Sequence, residues 1–383
     1  MVKSFDISKL RKSVSKSIPG LTVGFKDPTT WLNTGCYVLN YLISGDFKKG
    51  VPLSKVTMFA GESGSGKSVM AAYCMKDALK QGVSVHYIDT EDATTTDWIE
   101  RVGVDANDPN FVRIQTNNMK NIIKYVNEVV ASYDEAMEGV PEEEQPGLLF
   151  VLDSLGGMFS EEEEEKMGSG DFQMTDGMRK AAANAKFINA MLNLMASKKI
   201  GMLMTNHVST SMDQYSDDTI SGGKKVIFLS SIIVQITKNK LKEDEFGNKI
   251  KDEVGITSSV KVQKTRFTKP FERVYVLIPY NTGINPYSGL FDLFEKKGYL
   301  VKEGIKYHYK SLVTGEEKFF LKAKEYGPEQ YEFMMDDFSK AEAMGKLEKA
   351  LGDKLEDPEE ESMQNGSADT LADMINDEDV VVE

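Results

Sequence analysis

Gly61, Glu62, Ser63, Gly64, Ser65, Gly66, Lys67 and Ser68 follow directly on an apolar run at residues 55–60, and a helical pattern of Met70, Ala71, Ala72, Met75 and Leu79 begins at Ser68. A glycine-rich turn between a strand and a helix, closing on Lys-Ser, suits a nucleoside triphosphate. Glycines at 61, 64 and 66 permit backbone angles that let successive N–H groups converge on phosphate oxygens. The helix N-terminus adds partial positive charge. Lys67 can reach the terminal phosphates, and the Ser68 hydroxyl can ligate Mg²⁺. The bland alternative is a Gly/Ser-rich surface turn, against which the complete motif in its strand–loop–helix setting argues.

Two carboxylates extend this chemistry. Residues 148–153 are an apolar strand ending in Asp153, followed by Ser154. An aspartate there stands at the C-terminal edge of a sheet, beside the phosphate loop, where it can hold Mg²⁺ through water. A second buried strand, residues 83–89, runs into Thr90 and Glu91. Glu91 is the candidate for orienting or deprotonating an attacking water; a solvated loop glutamate is the competing reading. Together these groups imply ATP and Mg²⁺ as ligands and ATP hydrolysis as the reaction.

The elements that must position them alternate. Short apolar runs occupy residues 55–60, 84–89, 148–153, 201–206, 231–237, 259–264 and 273–279. Helical patterns occupy residues 67–81, 95–102, 120–137 and 177–198. Strand–helix alternation predicts an α/β fold, a mostly parallel sheet with helices on both faces. The last three strands are joined by short links, with a hairpin turn read at residues 242–249, so an antiparallel extension is expected there. No internal repeat is seen.

Of the formal net charge of −14, residues 353–383 carry −11, with 12 acidic residues against Lys354 alone. Further clusters, Glu142 to Glu144 and Glu161 to Glu165, are read as acidic loops. The global sign therefore does not exclude a basic face for nucleic acid on the core. The tail is too poor in apolar residues to offset its ordering entropy and reads as disordered. No run approaches the roughly twenty apolar residues of a membrane span, and residues 1–20 lack the apolar centre of a secretory signal. Two lone cysteines, Cys36 and Cys74, suggest a reducing, cytoplasmic setting with neither disulfide framework nor zinc.

From about residue 32 to 300 the chain resembles the RecA family of DNA strand-exchange proteins, and within it the phage, UvsX-type branch. The resemblance rests on ordered motifs: Asn33-Thr34-Gly35-Cys36 ahead of Leu39 and Gly45, the phosphate loop, Asp89-Thr90-Glu91, Gly103-Val104-Asp105, Asp153-Ser154, Asn206 and later Gly222-Gly223, and Asn285 through Leu290. It implies a RecA-like ATPase core at residues 32–300 with DNA-binding loops, an N-terminal protomer-contact segment at 1–31, a C-terminal lobe at 301–352 and the acidic tail at 353–383.

The family's functional residues carry over position by position. Trp98 falls where the family stacks a tyrosine on adenine, although a core Trp on a helix is an equal reading. His207 falls where the family senses the γ-phosphate and relays to a DNA loop. Lys264 and Arg266 fall where two cations reach across the protomer interface onto the neighbour's ATP; an exposed basic strand end is the alternative. The second DNA loop, residues 208–225, would offer Ser209, Thr210, Tyr215, Gly222, Gly223, Lys224 and Lys225. The first, residues 156–177, contains five consecutive glutamates, which suit phosphates poorly. Either that stretch points away from DNA, or Arg179, Lys180 and Lys186 on the following helix make the contacts.

The resemblance thus implies a DNA-dependent ATPase that forms helical filaments on single-stranded DNA and pairs it with homologous duplex in recombination, repair and replication. Single-strand-binding and mediator proteins are the implied partners, in the cytoplasm of an infected bacterium. A hexameric helicase motor of the same fold, and an ATP-binding mediator without strand exchange, are the alternatives; a metabolic kinase lacks an acceptor pocket.

Overall fold

A computed structural model describes residues 27–169, 176–196, 198–209, 219–240 and 255–345. Its centre is an eight-stranded sheet. In chain order the strands are β3 (Val56–Gly61), β4 (Ser84–Asp89), β5 (Phe111–Gln115), β6 (Leu148–Asp153), β7 (Ile200–Asn206), β10 (Ile232–Lys240), β11 (Gly255–Lys264) and β12 (Arg273–Pro279). Spatially the order is β12-β11-β10-β3-β7-β6-β4-β5. The pairs from β10 to β5 are parallel, and β11 and β12 add antiparallel at one edge. The expected α/β sheet with an antiparallel extension is therefore what the chain forms. The hairpin read at residues 242–249 lies outside the described residues.

Strand side chains alternate between two cores, as the period of two requires. Phe59, Val85, Tyr87, Leu149, Val151, Leu203 and Val234 face one side. Met58, Ile88, Phe150, Leu152, Met202, Met204 and Ile233 face the other. The first face is covered by α1 (Tyr37–Ser44) and α2 (Lys67–Lys80). Flanking α2, α3 (Thr96–Val102) adds Ile99 to that cluster. The second face is covered by α4 (Met119–Ala136) and α6 (Asp176–Met195), with α5 (Glu161–Ser169) preceding α6 and α7 (Lys224–Leu229) contributing Val226. The α4 pattern Met119, Ile122, Val126, Val130 and Tyr133 is the buried stripe of an amphipathic helix, capped by the Asn118 side chain accepting from the Asn121 N–H.

Two short antiparallel pairs complete the core: β1 (Trp31–Leu32) with β2 (Val51–Pro52), and β8 (Val208–Ser209) with β9 (Thr219–Ile220). Beyond α8 (Leu290–Lys296) come a three-stranded sheet, β13 (Leu300–Glu303), β14 (Lys306–Lys310) and β15 (Glu317–Leu321), and α9 (Pro328–Ala343). This part shares the first core through Tyr299, Tyr309, Met334 and Phe338. Its buried Asp337 carboxylate accepts from Tyr309 (2.9 Å), Ser311 (2.7 Å) and the Leu312 N–H (2.6 Å), which accounts for a charge placed inside.

One expectation is corrected. Glu161 to Glu165 form the start of α5 rather than a loop. Carboxylates in a first helical turn are stabilised by the helix dipole, and Ser160 and Glu163 cap each other reciprocally. Lys120 and Lys180 pair with Glu161 and Glu163, and Asn118 donates to Glu164.

Candidate active site

The phosphate loop bridges β3 and α2, and its glycines answer two needs. Gly64 and Gly66 have φ of +71° and +98°, the left-handed region. A Cβ on Gly61 would lie 2.2 Å from the Ile236 carbonyl oxygen, so β10 packs where only a hydrogen fits. The Ser258 hydroxyl donates to the Ser65 carbonyl at 2.7 Å and fixes the loop from β11. Lys67 curls back, its Nζ donating to the carbonyls of Gly61 (2.9 Å) and Glu62 (2.7 Å). Burial pushes the Lys67 ammonium below its ordinary range, against the opposing pull of Asp153, Glu91 and Glu62.

The residues present fit a triphosphate with Mg²⁺. Among the described residues the buried Ser65 hydroxyl has no hydrogen-bond partner, so a phosphate oxygen could pair with it. Ser68 is the second residue of α2, and Asp153 ends β6, separated from β3 by β7 alone. Both are hard oxygen donors of the kind Mg²⁺ takes. Asp153 is oriented by Thr205, which donates to its Oδ1, and by Tyr87, whose hydroxyl donates to Oδ2 at 3.3 Å. Neither orienting residue is evident from sequence, because each lies on a different strand.

The two carboxylates after β4 diverge. Asp89 is buried and paired with Arg113 from β5 at 2.8 Å, and it accepts from the Glu91 and Thr94 N–H groups, so it shapes the turn. Glu91 is exposed, and its Oε1 accepts from Ser154 Oγ at 2.5 Å and meets His207 Nε2 at 3.1 Å. Burial alone would raise the Glu91 carboxyl. The hydrogen bonds from Ser154 and His207, with the charges of His207 and Lys67, outweigh it and hold the group below the usual carboxylate range. A lowered carboxyl is ionised at neutral pH, the form that accepting a proton requires.

From His207 a hydrogen-bonded route continues. Its N–H donates to Asn206 Oδ1 (2.9 Å), Asn206 Nδ2 donates to the Ser221 carbonyl (2.7 Å), and the Ser221 N–H donates to the His207 carbonyl (3.0 Å). Gly222 and Gly223 follow, with φ of +97° and +86°, and lead into α7 with Lys224 and Lys225 exposed in its first turn. Ser209 pairs through its main chain with Thr219, whereas Thr210 and Tyr215 lie outside the described residues.

At the end of β11, Lys264 Nζ donates to the carbonyls of Ile227 and Phe228, both at 2.9 Å, closing the C-terminal end of α7. Burial and the neighbouring Arg266 lower its ammonium. Arg266 is exposed. Trp98 is partly buried on α3 and packs against the first core. Arg179 and Lys186 are exposed on α6 and line, with Glu161, Glu162 and Glu165, a groove of about 670 Å³. Lys180 is instead drawn to Glu163 and to the Phe159 ring.

The other motifs serve packing around α2. Cβ atoms on Gly35 and Gly283 would each lie 2.4 Å from Tyr73, which sits between the two loops. The Tyr37 N–H donates to the Pro286 carbonyl. Among the described residues, no helix is long and apolar enough to cross a membrane.

A sheet of this order, with the phosphate loop after β3 and carboxylates closing β4 and β6, defines a RecA-like nucleotide-binding fold. The RecA N-terminal domain model matches residues 24–285, and the chain belongs to that family. It is similar to the Protein RecA of Streptomyces ambofaciens, 26% identical over 301 residues that cover 76% of this chain and 72% of that one. The Protein RecA of Streptomyces venezuelae is 25% identical over 301 residues, covering 76% and 71%.

Proposed function

We propose that this chain is a DNA-dependent ATPase and strand-exchange recombinase that assembles as a helical filament on single-stranded DNA and pairs it with homologous duplex. The observation that carries the reading is the contact of Glu91 with His207, joined through Asn206 and Ser221 to the glycines that precede Lys224 and Lys225. A carboxylate that handles the attacking water is thereby connected to the segment that would hold DNA.

In this reading the loop amides, Ser65 and Lys67 bind the phosphates, while Ser68 and Asp153 hold Mg²⁺, which supplies charge neutralisation at the reacting phosphate. Glu91, kept ionised by Ser154 and His207, takes the water proton. Trp98 stacks on the base. Lys264 and Arg266 reach a neighbouring protomer's ATP, so that assembly completes the site, and DNA contacts come from Ser209, Thr210, Tyr215, Gly222, Gly223, Lys224, Lys225 and Arg179. A phage, UvsX-type origin, work in a host bacterial cytoplasm, and single-strand-binding and mediator partners complete the proposal.

Electron microscopy of the full chain on single-stranded DNA with a slowly hydrolysed ATP analogue tests it. Open helical filaments are expected. Closed rings would indicate a translocating motor instead, and bare DNA would reject the filament.

A further inference from the structure

Lys238, near the end of β10, is a cation that the functional reading above leaves unused. β10 runs parallel to β3 with Ile236 opposite Gly61, so the next residues of β10, still paired with β11 on one side, pass the phosphate loop on the other. Lys238 Nζ donates to the Ser63 carbonyl at 2.8 Å, and its main-chain N–H approaches Glu62 Oε1 at 3.3 Å. The same Nζ would lie 3.6 Å from a Cβ built on Gly64. It thus sits against the apex of the loop at Ser63 and Gly64, one residue beyond the Glu62 carbonyl that Lys67 holds. The position is exposed.

We infer that Lys238 is a second phosphate-site cation of the same protomer: it pins the Ser63–Gly64 apex in its binding shape and adds positive charge beside the phosphate chain. This rests on the phosphate-site reading and deepens it. Lys67 approaches from the helix side and holds the Gly61 and Glu62 carbonyls, while Lys238 approaches from the strand side and holds the Ser63 carbonyl. Between them, three consecutive loop carbonyls are held on ammonium groups, which keeps their oxygens off a bound anion. The role needs a long cationic side chain, which arginine also supplies.

ATP binding without DNA, measured on the full-length chain by equilibrium titration, tests this with Lys238→Met, Lys238→Arg and, as a control, Lys67→Ala. Lys238→Met is expected to weaken ATP binding by about tenfold, the scale of one charge-assisted hydrogen bond, and to raise KM far more than it lowers kcat. Lys238→Arg is expected to recover most of the loss. Because the position is exposed, the gap between wild type and Lys238→Met is expected to narrow at high salt. Urea unfolding identical to wild type would exclude a folding defect in the variant. If Lys238→Met binds ATP as wild type does while Lys67→Ala does not, the inference fails and the phosphate site stands. If both variants bind as wild type does, the phosphate site fails as well. If Lys238→Met loses single-stranded DNA affinity with nucleotide binding unchanged, Lys238 is a DNA contact and the inference is overturned.

Discussion

His207 Nε2 lies 3.1 Å from Glu91 Oε1, although 116 positions separate the two residues in the chain. β4 and β7 are not neighbours; β6 runs between them, and Ser154, just after its end, donates to the same carboxylate oxygen. The sheet order therefore brings a carboxylate, a hydroxyl that donates to it and an imidazole to one edge. Glu91→Gln keeps the size of the side chain and removes its basicity. Turnover is expected to fall by about 10²-fold or more with ATP affinity nearly unchanged, measured by single-turnover hydrolysis and equilibrium binding.

The lowered Glu91 carboxyl gives a pH dependence of known sign. In the proposed reaction the ionised form acts as the base, so the acid limb of the turnover profile is expected below the ordinary carboxylate value of 4.5. The associated stability is present above that value and is lost as pH falls through the lower folded one. Ser154→Ala removes one stabilising hydrogen bond, and the acid limb of kcat should move upward. A profile unmoved by that substitution would detach Ser154 from the carboxylate.

Lys224 and Lys225 are expected to contact phosphates of single-stranded DNA. Converting both to Ala should weaken binding with little regard to sequence. It should also flatten the slope of log affinity against log salt by about 1.4, two contacts at roughly 0.7 each. An unchanged slope would place the DNA elsewhere.

Both cysteines are buried, and burial raises their thiols, Cys36 to about 11 and Cys74 further still. The native chain is expected to resist thiol-specific reagents until denaturant is added, when both react. Stoichiometric labelling of the native protein would contradict the packing of α1 and α2.

Asp337→Ala would leave the Tyr309 and Ser311 hydroxyls and the Leu312 N–H without their shared acceptor. A loss of about 3 kcal/mol is expected in urea unfolding, with ATP binding retained in the folded fraction.

What was legible in the sequence was local. β4, β6 and β12 have the bounds their apolar runs suggest, and the glycines of the phosphate loop announce themselves. β5 escaped because Phe-Val-Arg-Ile-Gln lies at the sheet edge, half exposed, without a continuous apolar signal. α5 escaped because five glutamates read as a solvated loop, whereas dipole, cap and lysine partners make them a helix start. The surroundings of the site were hidden for another reason. Thr205 on Asp153 and Arg113 on Asp89 are pairings between neighbouring strands, and Lys238 on Ser63 is a contact of a strand with a distant loop; no single segment records any of them. Lys264 shows the same limit, since its grip on the end of α7 joins residues 37 and 36 positions apart.

The most direct test is steady-state ATP turnover with and without single-stranded DNA, for wild type and Lys67→Ala. Strong stimulation by DNA in wild type, and loss of turnover in Lys67→Ala, is the expected result. Turnover that is the same with and without DNA, or that survives Lys67→Ala, would contradict a phosphate loop coupled to a DNA-binding loop.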